Sequence, residues 1–201
     1  LNVYVDDLTL CGPTCCHPDF WKHLRKDVKL EDEASIDGKT GTLILGRRHF
    51  IQQNEKETTC IFDMKSYADG VVVAYCNITG FERTRLKQVP TPSLPETYTD
   101  EDLSQAGELQ KDASRVLMRV LWLARLARPD LSFITVRLAS RVASWTRFED
   151  RQLHRVISYI NCTKDFVLEG KIDHDEVPIL DVYTDADFAS CQHSAKSTSG
   201  L

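Results

Sequence analysis

Three prolines fall within six residues in Val89-Pro90-Thr91-Pro92-Ser93-Leu94-Pro95. Each lacks an amide donor and pushes its predecessor out of helical backbone, so no regular element can run through the stretch. Together with the acidic residues that follow, it reads as a linker over 89–104. The chain differs on its two sides. Upstream, Val3-Tyr4-Val5 and Leu8-Thr9-Leu10 have strand composition around a turn-prone Asp6-Asp7, which predicts a tight hairpin ended by Gly12-Pro13. Pro18-Asp19 opens a helix carrying Phe20, Trp21, Leu24 and Val28. A strand is expected over Leu43–Phe50, and a helix over Ile61–Asn77.

Downstream, three helices follow from apolar spacing. Ala113, Val116, Leu117, Val120, Leu121 and Ala124 form a stripe within Leu109–Ala127. Pro129-Asp130 restarts the helix, with Leu131, Ile134, Leu138 and Val142 in phase. The third helix carries Leu153, Val156, Ile157 and Ile160. Phe166–Ile172 and Ile179–Thr184 read as strands around the acidic turn Asp173-His174-Asp175-Glu176. The fold class expected is α+β.

A chain of 201 residues can hold one large domain or two small ones. No apolar run approaches the roughly 20 residues that cross a bilayer, so no membrane partner is expected. No basic-then-apolar leader opens the chain, and its seven cysteines, an odd number without framework spacing, read as reduced thiols. Cys11, Cys15, Cys16 and His17 cluster, but no second ligand pair lies at finger spacing, and zinc is not expected. The net charge of −5 argues against a freestanding nucleic-acid binder. Yet between residues 110 and 160 ten Lys or Arg stand against four acids, among them Lys111, Arg115, Arg119 and Arg125. Such a stretch either faces phosphates or is a solvated helix surface.

Two adjacent carboxylates at a strand end supply the hard oxygen ligands that Mg²⁺ prefers, and paired ions held this way drive phosphoryl transfer. The plain alternative for Asp6 and Asp7 is an ordinary Asp-Asp turn. A second pair, Asp185 and Asp187, follows the apolar run near the other end.

Four signatures in order carry a resemblance. Tyr4-Val5-Asp6-Asp7 between apolar runs is similar to the catalytic hairpin of reverse transcriptases. RVLMRVLWLARLARPDLSF (115–133) and HRVISYINCT (154–163) resemble two helical segments of copia-type retrotransposon polymerases, with VPTP where that family has a short proline-bearing linker. YTDADFASCQHSAKSTSG (183–200) resembles the opening of their ribonuclease H domain.

The resemblance implies a reverse-transcriptase palm hairpin and strands over 1–88, the linker over 89–104, and thumb and connection helices over 105–163. The first strands of a ribonuclease H-like sheet would occupy 164–201. It also implies catalytic and metal roles for Asp6, Asp7 and Asp185, with Tyr4 and Val5 under the primer terminus. Asp187 is read as a strand-end surface acid. Two Mg²⁺ (or Mn²⁺) ions per active site are implied, with an RNA template, a DNA primer, RNA/DNA hybrid and dNTPs as partners. The rest of the Pol polyprotein would supply a further palm aspartate and fingers before Leu1 and three more acids after Leu201. Lys111, Arg115, Arg119 and Arg125 would track the nucleic-acid backbone. The implied location is a cytoplasmic particle or the nucleus.

Departures from the family pattern include Cys162 for a glycine, Phe188 for a tryptophan, and Glu149 near the place of a histidine. They keep a second reading open, a noncatalytic remnant that binds nucleic acid or serves as a scaffold. An unrelated two-carboxylate hydrolase is the third.

Overall fold

The computed structural model describes residues 1–5, 7–32, 35–94, 99–177, 179–184, 186–187 and 198–199. The fold is α+β. In chain order the elements are β1 (Asn2–Tyr4), β2 (Asp7–Thr9), α1 (His17–Leu24), β3 (Thr42–Ile44), β4 (Arg47–Gln53), β5 (Glu57–Asp63) and α2 (Lys65–Thr79). Then come α3 (Asp100–Ser104), α4 (Ala113–Leu126), α5 (Ser132–Ala139), α6 (Arg147–Cys162), β6 (Leu168–Asp173), β7 (Ala186–Asp187) and β8 (Thr198–Ser199).

The expected hairpin forms: β1 and β2 pair antiparallel with Tyr4 opposite Asp7. The single strand expected over Leu43–Phe50 is two. Leu45 and Gly46 both take positive φ, 54° and 77°, and fold the chain back as β3 and β4. Two successive left-handed residues give a turn whose twist matches the strands it joins. The helix expected from Ile61 starts later. β5 runs to Asp63, whose Oδ1 accepts the Lys65 amide at 2.6 Å and so turns the chain into α2. α2 ends at Gly80, φ 67°, where a residue without Cβ accepts left-handed backbone at little cost. α1 stops at Leu24, before Val28.

The four-stranded sheet has the order β3-β4-β5-β6, antiparallel throughout. β6 returns to β5 after the whole helical region, pairing Glu57 with Asp173 and Phe62 with Leu168. Ile179–Thr184, expected as a strand, belongs to none and is exposed. Among the described residues no strand lies beside it to satisfy its backbone groups.

The core sits among the helices. Val71, Val72, Val116, Val120, Leu123, Leu131, Leu153, Val156, Ile157 and Ile160 are fully enclosed, with Trp145 closing one end. These residues come from α2 on one side of the proline segment and from α4–α6 on the other. The segment therefore crosses one continuous core. It is also tied down: the Gln152 side-chain amide accepts from the Leu94 N–H at 3.0 Å and donates to its carbonyl at 3.2 Å. Arg155 Nε donates to the Thr91 carbonyl at 2.9 Å. α6 starts with a reciprocal cap between Thr146 and Glu149, which satisfies amides that have no partner inside the helix.

Just upstream of α4, Asp150 gathers a loop. Its carboxylate accepts the Glu108 and Leu109 amides and the Trp145 indole N–H, at 2.6, 3.2 and 2.7 Å. Gly107 lies so close that a Cβ there would sit 2.6 Å from the Thr146 carbonyl oxygen. No helix among the described residues is long and apolar enough to cross a membrane.

Candidate functional site

The hairpin places Val5 at the first loop position, between Tyr4 and Asp7. Val5 has φ 53°. Left-handed backbone costs a β-branched residue on the order of 1–2 kcal/mol, so the tip holds local strain. Burial of the strand flanks would hold such a tip rigid. They are not buried: Val3 and Tyr4 are about half exposed and Val5 is 87% exposed. Three residues per strand cannot enclose their own side chains, and the hairpin sits at the surface. Asp6 lies outside the described residues. Asp7 begins β2 with its side chain exposed and, among the described residues, without an ion pair.

What fixes the hairpin is Trp122 on α4. Its ring centroid lies 6.4 Å from that of Tyr4, at 53°. Its indole N–H donates to the Leu45 carbonyl oxygen at 3.3 Å, reaching the β3–β4 turn. Trp122 shares a helix face with Arg115, Met118, Arg119 and Arg125, at spacings of seven, four and three residues. Those four are exposed, Met118 by 57%. Hairpin and basic helix, distant in sequence, thus meet at one indole.

Nine of the ten cations of the 110–160 stretch fall into two sets. Arg128 is 3% exposed; it forks onto Asp130 at 2.9 and 2.7 Å and donates to the carbonyl and hydroxyl of Thr163, both at 2.8 Å. Its guanidinium also lies over the rings of Tyr159 and Phe166. Arg141 pairs with Glu149, Arg151 with Asp102, Arg147 bonds Gln105, and Arg155 bonds Thr91. These are structural. Lys111, Arg115, Arg119 and Arg125 carry no ion pair among the described residues and face solvent. The sequence could have signalled Arg128, whose Pro129-Asp130 neighbours set a carboxylate two residues on. It held no local sign of the partners of Arg151 and Arg155, which come from the proline–acidic segment.

Arg47 was not foreseen at all. It links sheet to helix by donating to the Leu126 carbonyl at 2.7 Å, stacking 4.2 Å over the Phe62 ring and bonding the His49 ring nitrogen at 3.0 Å. Burial, with the neighbouring Arg47 charge, holds the His49 pKa down to about 4. A cavity of about 650 Å³ beneath the proline segment was equally unforeseen. Tyr75, Phe81, Leu94, Leu109 and His154 help to line it. A 3.0 Å hydrogen bond joins the Tyr75 hydroxyl to His154 Nδ1, and burial keeps the imidazole neutral by lowering its pKa.

Asp185 lies outside the described residues. Asp187 falls in β7, paired with Thr198 of β8. Cys11, Cys15 and Cys16 are exposed, and the His17 ring bonds the Gly12 carbonyl oxygen at 3.1 Å. Among the described residues no three His, Cys, Asp or Glu side chains converge as metal ligands. Compared with known proteins, the chain matches no protein-family model, no curated protein and no solved structure.

Proposed function

We propose that this chain is part of a copia-type reverse transcriptase with an attached ribonuclease H, an RNA- and DNA-directed DNA polymerase. One observation carries the reading: the hairpin that pairs Tyr4 with Asp7 rests, through Tyr4 and Trp122, beside a face of α4 whose arginines carry no ion pair among the described residues. A polymerase needs carboxylates at a surface turn and a cation track for the phosphate backbone within reach of one duplex.

The donor set suits a hard divalent ion. The Asp7 carboxylate is exposed and free of ion pairs among the described residues, and carboxylate oxygens are what Mg²⁺ or Mn²⁺ selects. Asp6 and Asp7 would hold the ions in the polymerase site and Asp185 in the ribonuclease H site. Bound there, the metals would activate the primer 3′-hydroxyl and neutralise charge on the phosphate under attack. The chain's own part is to position. Lys111, Arg115, Arg119 and Arg125 would contact phosphates without reading sequence, and the tilted Tyr4–Trp122 ring contact holds the hairpin against that helix. Tyr4 and Val5 would lie under the primer end.

The test uses the chain within its whole reading frame. Asp6→Asn removes primer extension on an RNA template, and Asp185→Asn removes RNA-strand degradation while sparing extension. Equal loss of both activities in either variant overturns the assignment of two sites. Duplex binding without any metal-dependent extension in the parent protein favours the noncatalytic remnant.

A further inference from the structure

We propose that the free edge of β6 pairs antiparallel with β6 of a second copy of this chain, joining two four-stranded sheets into one of eight strands. The inference is independent of the polymerase reading.

β6 is the last strand of its sheet among the described residues, and all six of its residues are exposed. A strand in that position offers a row of unpaired N–H and C=O groups. Their parity is set by the ladder to β5. The His174 amide donates to the Lys56 carbonyl at 2.8 Å, which continues the β5–β6 pairing and marks even-numbered residues as those facing β5. Backbone groups of an antiparallel strand alternate in direction, so Glu169, Lys171 and Asp173 present theirs to the free edge.

A two-fold pairing must then match odd residues with odd residues, which leaves few registers. Centred on Lys171, it would set Lys171 against Lys171 and Glu169 against Asp173. Centred on Glu169, it would oppose the two Glu169 carboxylates and leave Lys171 against Val167. Centred on Ile172, it would gain Lys171–Asp173 pairs but set Glu169 against Asp175. Centred on Leu168, it would call on Asp165, already paired with Lys65. Centred on Gly170, Glu169 of each copy faces Lys171 of the other, and no like charges meet within Leu168–Asp173; Asp165 and Asp175 would oppose one another only beyond the strand ends.

The same register sets Leu168 against Ile172 twice on the opposite face. These side chains are 36% and 52% exposed in the single chain and would cover one another. The two Gly170 residues would meet at the closely spaced, non-hydrogen-bonded position, where the lack of a side chain removes any obstacle. Directly opposed charge pairs and apolar pairs are the units that stabilise a ladder, so this edge is self-complementary in one register. Within one copy Lys171 already lies 3.3 Å from Glu169 and 4.0 Å from Glu57. The ammonium lies on the face of β6 that carries Glu169, and to meet the second copy's Glu169 it would exchange its 4.0 Å contact with Glu57 of β5 for one across the free edge.

Sedimentation velocity across a micromolar-to-millimolar series tests this. The parent chain is expected to show a concentration-dependent monomer–dimer equilibrium. Glu169→Lys and Lys171→Glu each turn two attractive pairs into repulsive ones and should weaken the dimer by about tenfold. An equimolar mixture of the two variants restores opposite charges at every cross-strand pair and should regain dimer at the parent's affinity. Both residues are exposed, and circular dichroism checks that the variants keep the parent fold. A parent chain that stays monomeric throughout overturns the proposal. So does a dimer indifferent to both reversals, or a mixture no tighter than its components.

Discussion

The helices and the four-stranded sheet are held by different physics. Around α2, α4, α5 and α6 more than a dozen apolar side chains are buried, and the buried arginine and glutamine are each hydrogen-bonded. In β3–β6 only Thr59 is buried. The sheet is a hydrogen-bonded ladder with half-covered faces, joined to the helices at a few points such as Arg47 and Trp122. Burial of apolar area supplies most folding free energy, whereas exposed ladder bonds exchange one partner for another. The helical part therefore carries the stability, and the sheet follows it.

That contrast can be broken or sharpened in order of size. Leu153→Ala, at a fully enclosed site, should cost about 2–5 kcal/mol and unfold helices and sheet together. Ile61→Ala in β5, only partly covered, should cost a fraction of that; equal losses in chemical denaturation would erase the distinction. Gly107→Ala should cost about 1–3 kcal/mol, since the new methyl meets a backbone carbonyl and the Trp145 ring, neither of which can yield freely. An unchanged melting temperature would mean that the loop held by Asp150 contributes nothing to the core.

Arg47→Ala removes the bond to α4 and the stack on Phe62. It should cost about 1–2 kcal/mol and speed amide exchange in β3–β5 while leaving α4 and α6 protected. Uniform loss of protection would show the two parts to be one cooperative unit. The smallest effect is that of His49. Its folded pKa, about 4, is below the ordinary 6.5, so between those values the unfolded chain binds more protons. Stability should be complete above about pH 6.5 and decline as pH falls towards 4. His49→Gln should flatten that slope in urea titrations; an unaltered slope assigns it to other groups.

The same contrast explains what could be read in advance. α4 and α6 were legible because one-sided burial writes a 3.6-residue period into Val116, Val120, Ala124 and into Leu153, Val156, Ile160; Leu121, expected in the stripe, is only partly buried, and Leu123, outside it, is fully enclosed. The sheet was legible only in part: strands were expected over Leu43–Phe50, where β3 and the start of β4 lie, and over Phe166–Ile172, where β6 runs from Leu168 to Asp173. Arg47-Arg48-His49-Phe50-Ile51-Gln52-Gln53 buries neither face, so no alternation carries the strand past Phe50 or marks the break at Leu45-Gly46. Pairing of β5 with β6 is a long-range fact that no local pattern holds. In the candidate site, the hairpin was legible because it needs only its neighbours, although its turn begins at Val5 and Asp7 opens β2 rather than lying in the turn. The part played by Trp122 was not, since it sits at the margin of an apolar stripe and its partners, Tyr4 and Leu45, are far away in sequence. The separation of structural from free arginines likewise depends on contacts the chain makes only once folded.

The return of β6 to β5 also sets a timetable. Glu57 must wait for Asp173 to be made. At about 5–20 residues per second, the edge of β5 stays open on the ribosome for on the order of ten seconds after its own synthesis. Throughout that interval α2, α4, α5 and α6 emerge in turn and can assemble, so the last strand adds to a sheet already anchored on finished helices. A nascent chain stalled before Leu168 would carry a closed helical core and an unclosed strand, the state in which a strand from a neighbouring chain competes most directly with β6.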